Sequence, residues 1–353
     1  MDHTSDYSSI FRHLEINNNI DWWGSGDRPK KLAAYGKLTV LSQIELFVRT
    51  MQSTDGVAFR IELGKPIFKI QKPRLEFFYQ HVNRFLSEYS DRYYYSPRVK
   101  LFFQACGELG IKSGSFEFQK PLEIDLGSGK PYGNIFNELI ETIRWLCGQR
   151  QFKNALKSYE QRVRKRHAKG LMWEENLFAW HTRHVFVYVH LGYREEYRQL
   201  VTPELIQGHR QTLLENRRMN ELLQGINAYI WRLEDGDEVG LHMHALIAYR
   251  GDANSGIHIA GQICRYWEEV VTAGMGKAWN GNLVREKRRG GKESGLGKID
   301  AHETGKRQEL REVIAYLTKA DQYLKCKHLQ GLRAIGMSRP KEKIKQGRPR
   351  TKG

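Results

Sequence analysis

The stretch Gly240–Tyr249, GLHMHALIAY, decides the reading of this chain. Successive side chains of a strand point to opposite faces, so His242 and His244 share one face while Met243, Ala245 and Ile247 share the other. The run Ile226–Glu234, INAYIWRLE, stands just upstream, and DGDEVG between them has the Asp-Gly pattern of a turn. Together they predict an antiparallel hairpin. Pairing odd positions with odd adds Tyr229, Trp231 and Leu233 to the apolar face and Arg232 and Glu234 to the histidine face. Parity is the only register information here. A lone histidine on a strand is more often a packed core residue. Two at i and i+2 beside an acid on the partner strand form a three-ligand set for a divalent ion, with positions open for substrate. Zinc fits the ligand types, and Mg²⁺ or Mn²⁺ fits an open, carboxylate-containing site facing phosphate. Asp235, Asp237 and Glu238 compete with Glu234 for the acidic place.

Downstream, Glu309–Leu324 reads ELREVIAYLTKADQYL. Leu310, Val313, Ile314, Leu317 and Leu324 make one apolar stripe about 100° wide at helical spacing. Tyr316, Lys319 and Tyr323 cluster on a different face, roughly 135° away. Tyr316 is therefore expected off the core face, with Lys319 one turn on. A phenol, with a pKa of about 10, is a poor nucleophile at neutral pH. A nearby ammonium and a metal-bound phosphate favour the phenolate and its attack. Attack on a phosphodiester leaves a phosphotyrosine link that keeps the bond energy for resealing. The competing reading is a surface Tyr and Lys on an amphipathic helix.

The chain has 353 residues, enough for two domains or one domain with a large extension. Its formal net charge is +17, and residues 275–353 hold 21 Lys/Arg against 8 Asp/Glu. A basic field of that kind faces a polyanion. The four cysteines are far apart, against a zinc ribbon or a disulfide scaffold. A polar N-terminus and the lack of any membrane-length apolar run predict a cytoplasmic protein with no membrane partner.

Residues 1–165 read as mostly helical, with helices at Leu38–Met51, Pro73–Tyr89 and Ile135–Cys147 and a hairpin in VAFRIELGKPIFKIQ. No chemical motif stands there. A basic helix, Phe152–His167, joins this region to the rest. Then come a strand at Val185–Leu191, a helix at Pro203–Gln224, the hairpin, a helix at Ile259–Thr272 and a Gly-, Lys- and Arg-rich loop over Gly274–Lys306. A helix over Gln308–Leu324 follows, and the basic tail after Gly336 reads as disordered. The fold class is α+β.

His242-Met243-His244 on a strand, followed by Tyr316-Leu317-Thr318-Lys319 on a helix, resembles the HUH endonuclease superfamily. YIWRLEDGDEVGLHMHALI looks particularly like the rolling-circle replication initiators of filamentous phages (the inovirus gene II product type) and their prophage relatives. The resemblance covers roughly Val185–Lys325, under half the chain. It implies His242, His244 and Glu234 as ligands of Mg²⁺ or Mn²⁺, Tyr316 as nucleophile and Lys319 as its partner. VFVYVHL occupies the place of the family's first motif, without a close match in letters. Some relatives use two tyrosines. Tyr323 lies on the same side as Tyr316, though not at their four-residue spacing.

The implied fold is a central antiparallel sheet of about five strands with helices on one side, the metal and tyrosine facing single-stranded DNA on the other. Residues 166–335 would be the nicking domain, 1–165 a region of unknown role and 336–353 a basic tail. The implied activity is site-specific nicking and rejoining through a 5′-phosphotyrosine, starting rolling-circle replication of a phage or prophage-like element in a bacterial cytoplasm. The implied partners are single-stranded and supercoiled origin DNA, with host helicase and polymerase. Lys287, Arg288 and Arg289 are expected to grip phosphates. Arg348, in a Gly-Arg-Pro triplet like an AT-hook core, and Arg350 are expected to reach DNA from the tail. A conjugative relaxase or single-strand transposase would share the chemistry; a DNA-binding regulator would need neither metal nor nucleophile.

Overall fold

The computed structural model describes residues 20–21, 30–31, 37–61, 68–70, 73–215, 220–236, 239–253, 255–283, 294–319 and 324–339. Helix α1 (Lys37–Ser53) buries Val40, Leu41, Ile44, Phe47, Val48 and Met51, the spacing of one helical face. Around it pack α2 (Pro73–Tyr79), α3 (Val82–Ser87), α4 (Pro97–Glu108) and α5 (Tyr132–Gly148). Their common core is aromatic: the Phe47 ring lies 4.8 Å from Phe78, 6.0 Å from Phe102 and 5.8 Å from Phe136, centroid to centroid. The expected hairpin is β1 (Phe59–Ile61) against β2 (Phe68–Ile70). The helix expected over Pro73–Tyr89 is instead two short ones, α2 and α3, with His81 at the N-cap position of the second.

Helix α6 (Arg150–Trp180) is 31 residues long, far longer than the Phe152–His167 segment expected, and it runs unbroken across residue 165. Phe152 near its start packs on the N-terminal core. Trp173, Leu177 and Phe178 near its end pack in the core under the sheet. Arg98 of α4 clamps α6 to α1, with ion pairs of 2.7 Å to Glu45 and 3.3 Å to Glu160.

The rest of the chain is built on one antiparallel sheet. β4 (Arg183–Tyr193), β5 (Ile226–Gly236) and β6 (Gly240–Arg250) are 11-residue strands with β6 in the centre. β7 (Gly276–Asn280) and β8 (Gly297–Asp300) share the far edge of β4, and β10 (Ile335–Met337) borders β5. Gly336 of β10 is required there, since a Cβ would come within 2.5 Å of the Trp231 ring. Two of these strands lie inside Gly274–Lys306, which is thus not the plain loop expected. GKAWN and GKID are too short and too polar to show a period, yet each pairs with an unfilled stretch of the β4 edge.

Both sheet faces are covered. Val187, Val189, Leu191, Leu233, Met243 and Ile247 pack against α7 (Pro203–Glu215) and α8 (Gly256–Tyr266). Phe186, Tyr188, Ile230, Leu246 and Ala248 pack against α6 and α9 (Thr304–Lys319). The one-sided helical layer that the resemblance implied is therefore corrected: a helix pair lies on the histidine face as well. α6 and α9 approach closely at Gly170, where a Cβ would meet Ile314 at 2.6 Å. α9 is described as far as Lys319 and does not reach Leu324, which opens β9 (Leu324–Cys326), paired with β3 (Tyr93–Tyr95) of the N-terminal region. Among the described residues, no helix is long and apolar enough to cross a membrane.

Candidate metal centre

The hairpin pairs as its parity predicts, Arg232 opposite His244, Leu233 opposite Met243 and Glu234 opposite His242. Cross-strand pairing brings the Glu234 carboxylate over the two imidazoles. Its Oε2 lies 3.4 Å from His244 Nε2 and 3.9 Å from His242 Nε2, and the two Nε2 atoms lie 3.1 Å apart. Glu234, His242 and His244 can hold a metal ion, since their ligand atoms all fall within 4.8 Å of one another. Of the rival acids, Asp235 points to the opposite face and pairs with Arg92 at 3.1 Å, as strand alternation demands. Asp237 and Glu238 lie outside the described residues.

The partners behind each ligand aim it. His242 Nδ1–H donates to the Gly240 carbonyl at 2.9 Å, so the neutral ring presents a bare Nε2 lone pair to the carboxylate. Burial, then the neighbouring His244, lowers the His242 pKa to about 4, so the ring is neutral at pH 7. His244 Nδ1 meets Tyr188 Oη at 2.9 Å and His190 Nε2 at 3.0 Å, which turns its Nε2 toward Glu234. Burial pushes the Glu234 carboxyl up, but the neighbouring His244 and the Arg232 guanidinium outweigh it and hold the group well below the usual carboxylate range. Arg232 Nε donates to Glu234 Oε1 at 2.7 Å and fixes that carboxylate. Imidazole nitrogens on a rigid strand, each braced through its other nitrogen, with an ionised carboxylate, are a donor set that suits a divalent cation.

Tyr316 reaches this group from α9. Its hydroxyl lies 3.2 Å from both Glu234 Oε1 and His244 Nε2. The ring is fully buried, which corrects the expectation of a tyrosine off the core face. α9 has two partners, α6 on one side and the sheet on the other, so its apolar stripe and its tyrosine face are both covered. Burial and then the Glu234 charge raise the phenol well above its ordinary pKa. In the metal-free site it is a hydrogen-bond donor, not a phenolate. Arg232 also reaches the Leu317 carbonyl at 3.3 Å, tying the end of α9 to the hairpin.

His190 went unassigned in the sequence because VFVYVHL reads as one apolar strand. It sits opposite His244 on β4 and belongs to the buried imidazole cluster; burial and its two histidine neighbours hold it neutral, well below the usual range. Lys319 is the last described residue of α9, and its side chain is not among the described ones. Tyr323, Lys287, Arg288, Arg289, Arg348 and Arg350 lie outside the described residues.

Comparison with family models, curated proteins and solved structures finds no match to the chain.

Proposed function

We propose that this chain is a metal-dependent, site-specific DNA nicking and rejoining enzyme of HUH type, acting through a 5′-phosphotyrosine to initiate rolling-circle replication of a phage or prophage-like element. One observation carries the reading: a tyrosine 72 residues beyond His244 brings its hydroxyl to the same carboxylate and imidazole that form the metal-fit group. A core tyrosine needs one hydrogen-bond partner, and nothing in packing asks for that partner to be a three-residue ligand set.

Glu234, His242 and His244 would hold the ion, which we take to be Mg²⁺ or Mn²⁺. When bound it supplies Lewis-acid polarisation of a phosphoryl oxygen and offsets charge as the bond breaks. Tyr316 Oη attacks phosphorus, the bond to the 3′ oxygen breaks, and that oxygen takes a proton from water to become a free 3′-OH. Glu234, ionised and committed to the ion, would orient the phenol through its hydrogen bond, and the phenol proton leaves to water. Lys319, one turn on, offsets phosphate charge. Attack of a 3′-OH on the phosphotyrosine reverses the step and frees the tyrosine. The free 3′ end primes synthesis by host enzymes, and Tyr323 is the candidate for a second nucleophile.

The test is incubation of the protein with supercoiled DNA of its own replicon and Mn²⁺, followed by mapping of the nick. The reading expects one fixed nick, protein attached to its 5′ end, and loss of both with EDTA. Specific binding without an adduct would instead favour a regulator. A mapped nick at a transfer origin or an element boundary would favour a relaxase or a transposase.

A further inference from the structure

The mechanism leaves unused the first two thirds of α6. Residues 150–169 carry eight Lys/Arg and a single acid, Glu160. The acid is already engaged by Arg98 at 3.3 Å, with Arg164 at 3.8 Å. Arg150, Lys153, Lys157, Arg162, Lys165 and Lys169 are all exposed and, among the described residues, make no ion pair. At about 100° per residue, Arg150, Lys157, Arg164 and Lys165 centre on the side opposite the half-buried Phe152, Leu156 and Val163, with Lys153, Arg162 and Lys169 on its flanks. The stripe extends roughly 28 Å along the axis.

Helix stability does not explain this choice. Lys153–Lys157, Arg162–Arg166 and Lys165–Lys169 are like-charged i, i+4 pairs, which repel. Arg150 and Lys153 stand in the first turn, where the helix dipole disfavours cations. A solvated helix relieves both by mixing signs, and this one does not. The arrangement is unfavourable alone and favourable against a polyanion.

Position names the polyanion. The basic segment ends where α6 meets α9: His167 Nδ1 lies 3.3 Å from Thr318 Oγ1, and Gly170 abuts Ile314 and Thr318. Thr318 is two residues past Tyr316 and one before Lys319. His167 and Gly170 stand on the same side of α6 as Val163, so the basic face is turned outward from α9, but its last residues, Lys165 and Lys169, lie within one helical turn of those that meet Thr318.

We infer that the exposed basic face of α6 is a DNA-backbone track that holds the strand flanking the scissile phosphate. This rests on the nicking reading for what the track serves, but binding and cleavage separate in the test. The full-length chain is compared with the quadruple variant Lys157→Gln, Arg162→Gln, Lys165→Gln, Lys169→Gln. A control variant makes the three lysines arginine. Circular dichroism checks that each is folded. Anisotropy of a fluorescein-labelled single-stranded 30-mer, titrated from low to high salt, reads the track. The quadruple variant should bind more weakly, its log–log salt slope flatter by about 0.7 for each phosphate it no longer neutralises, while the arginine control matches the parent. A folded quadruple variant with unchanged affinity and slope overturns the track, whether or not the parent nicks. A flattened slope in a protein that never forms an adduct keeps the track and removes the nicking reading. Should the quadruple variant lose its fold, single Lys157→Glu and Lys165→Glu variants replace it. Each should flatten the slope, and an unchanged slope in both overturns the inference.

Discussion

Removing one oxygen tests Tyr316 as the proposed nucleophile. Tyr316→Phe keeps a ring that fills the core between α6, α9 and the sheet, and loses the hydroxyl on Glu234 and His244. Covalent DNA attachment should vanish, while DNA affinity stays within about threefold, under 1 kcal/mol. Denaturing gels and anisotropy read the two effects. A surviving protease-resistant adduct that maps to Tyr323 would move the nucleophile. The histidines give a pH-dependent counterpart. The folded protein holds the His242 pKa at about 4, against about 6.5 for an unfolded histidine. A depressed histidine contributes stability that is complete above the unfolded value and lost as pH falls toward the folded one. The metal-free protein should therefore weaken between pH values of about 6.5 and 4, and His242→Gln should weaken less over that window. Urea midpoints at several pH values decide it, and parallel slopes for the two proteins sink the assignment. The histidine pair and Glu234 were legible because a short turn transmits parity from one strand to the next. His190 was not, since more than 40 residues separate β4 from its partner β6, and no sequence pattern sets that register. The burial of Tyr316 was hidden for a related reason: a helical wheel shows one helix's faces, not how many partners cover them.

The α6–α9 pair holds the tyrosine in place, and one acid clasps it. Glu174, wholly buried on α6, takes Arg307 at 2.6 Å and Arg311 at 3.0 Å, both from α9. Arg307 also lies over the Phe178 ring, 4.5 Å from its centroid. Glu174→Ala leaves Arg307 its bond to the Ala301 carbonyl at 3.0 Å and Arg311 its pair with Glu175 at 3.7 Å, and both guanidiniums, 21% and 35% exposed, can turn to water. The loss should be about 2–4 kcal/mol, at the low side of a broken buried pair. Adduct formation should fall as well, because α9 is then freer to shift against the hairpin. Chemical denaturation checks the first, and a change below about 1 kcal/mol would show that Trp173, Leu177 and Phe178 hold the pair unaided. At this scale the long strands and the amphipathic helices were readable from period alone. β7, β8, β9 and β10, of three to five residues each, were not. A strand that short is defined by the edge it fills, so its identity lies in the partner and not in its own letters.

Across the whole molecule, charge is concentrated in two places. Residues 150–169 have a surplus of seven basic groups and residues 275–353 a surplus of 13, together more than the net +17 of the chain. The rest of the protein is therefore net acidic, so a long polyanion, DNA in the proposed function, would be steered to these two zones and away from other surfaces. The first is fixed on a helix that abuts α9; the second ends in 341–353, with six basic residues and one acid, outside the described part and outside both the hairpin and α9. Deleting 341–353 should weaken binding to long duplex DNA and flatten its salt slope by up to about 0.9 per phosphate no longer neutralised. Cleavage of a short single-stranded oligonucleotide at saturating protein should scarcely change, because Glu234, His242, His244 and Tyr316 remain together. Anisotropy on a duplex and gel assays on the short oligonucleotide separate the two zones. A truncated protein with an unaltered duplex slope leaves α6 as the place where long DNA is held. One that binds duplex normally but cannot cut the short strand puts the tail at the metal centre itself, and the division of labour between the two basic zones is then wrong.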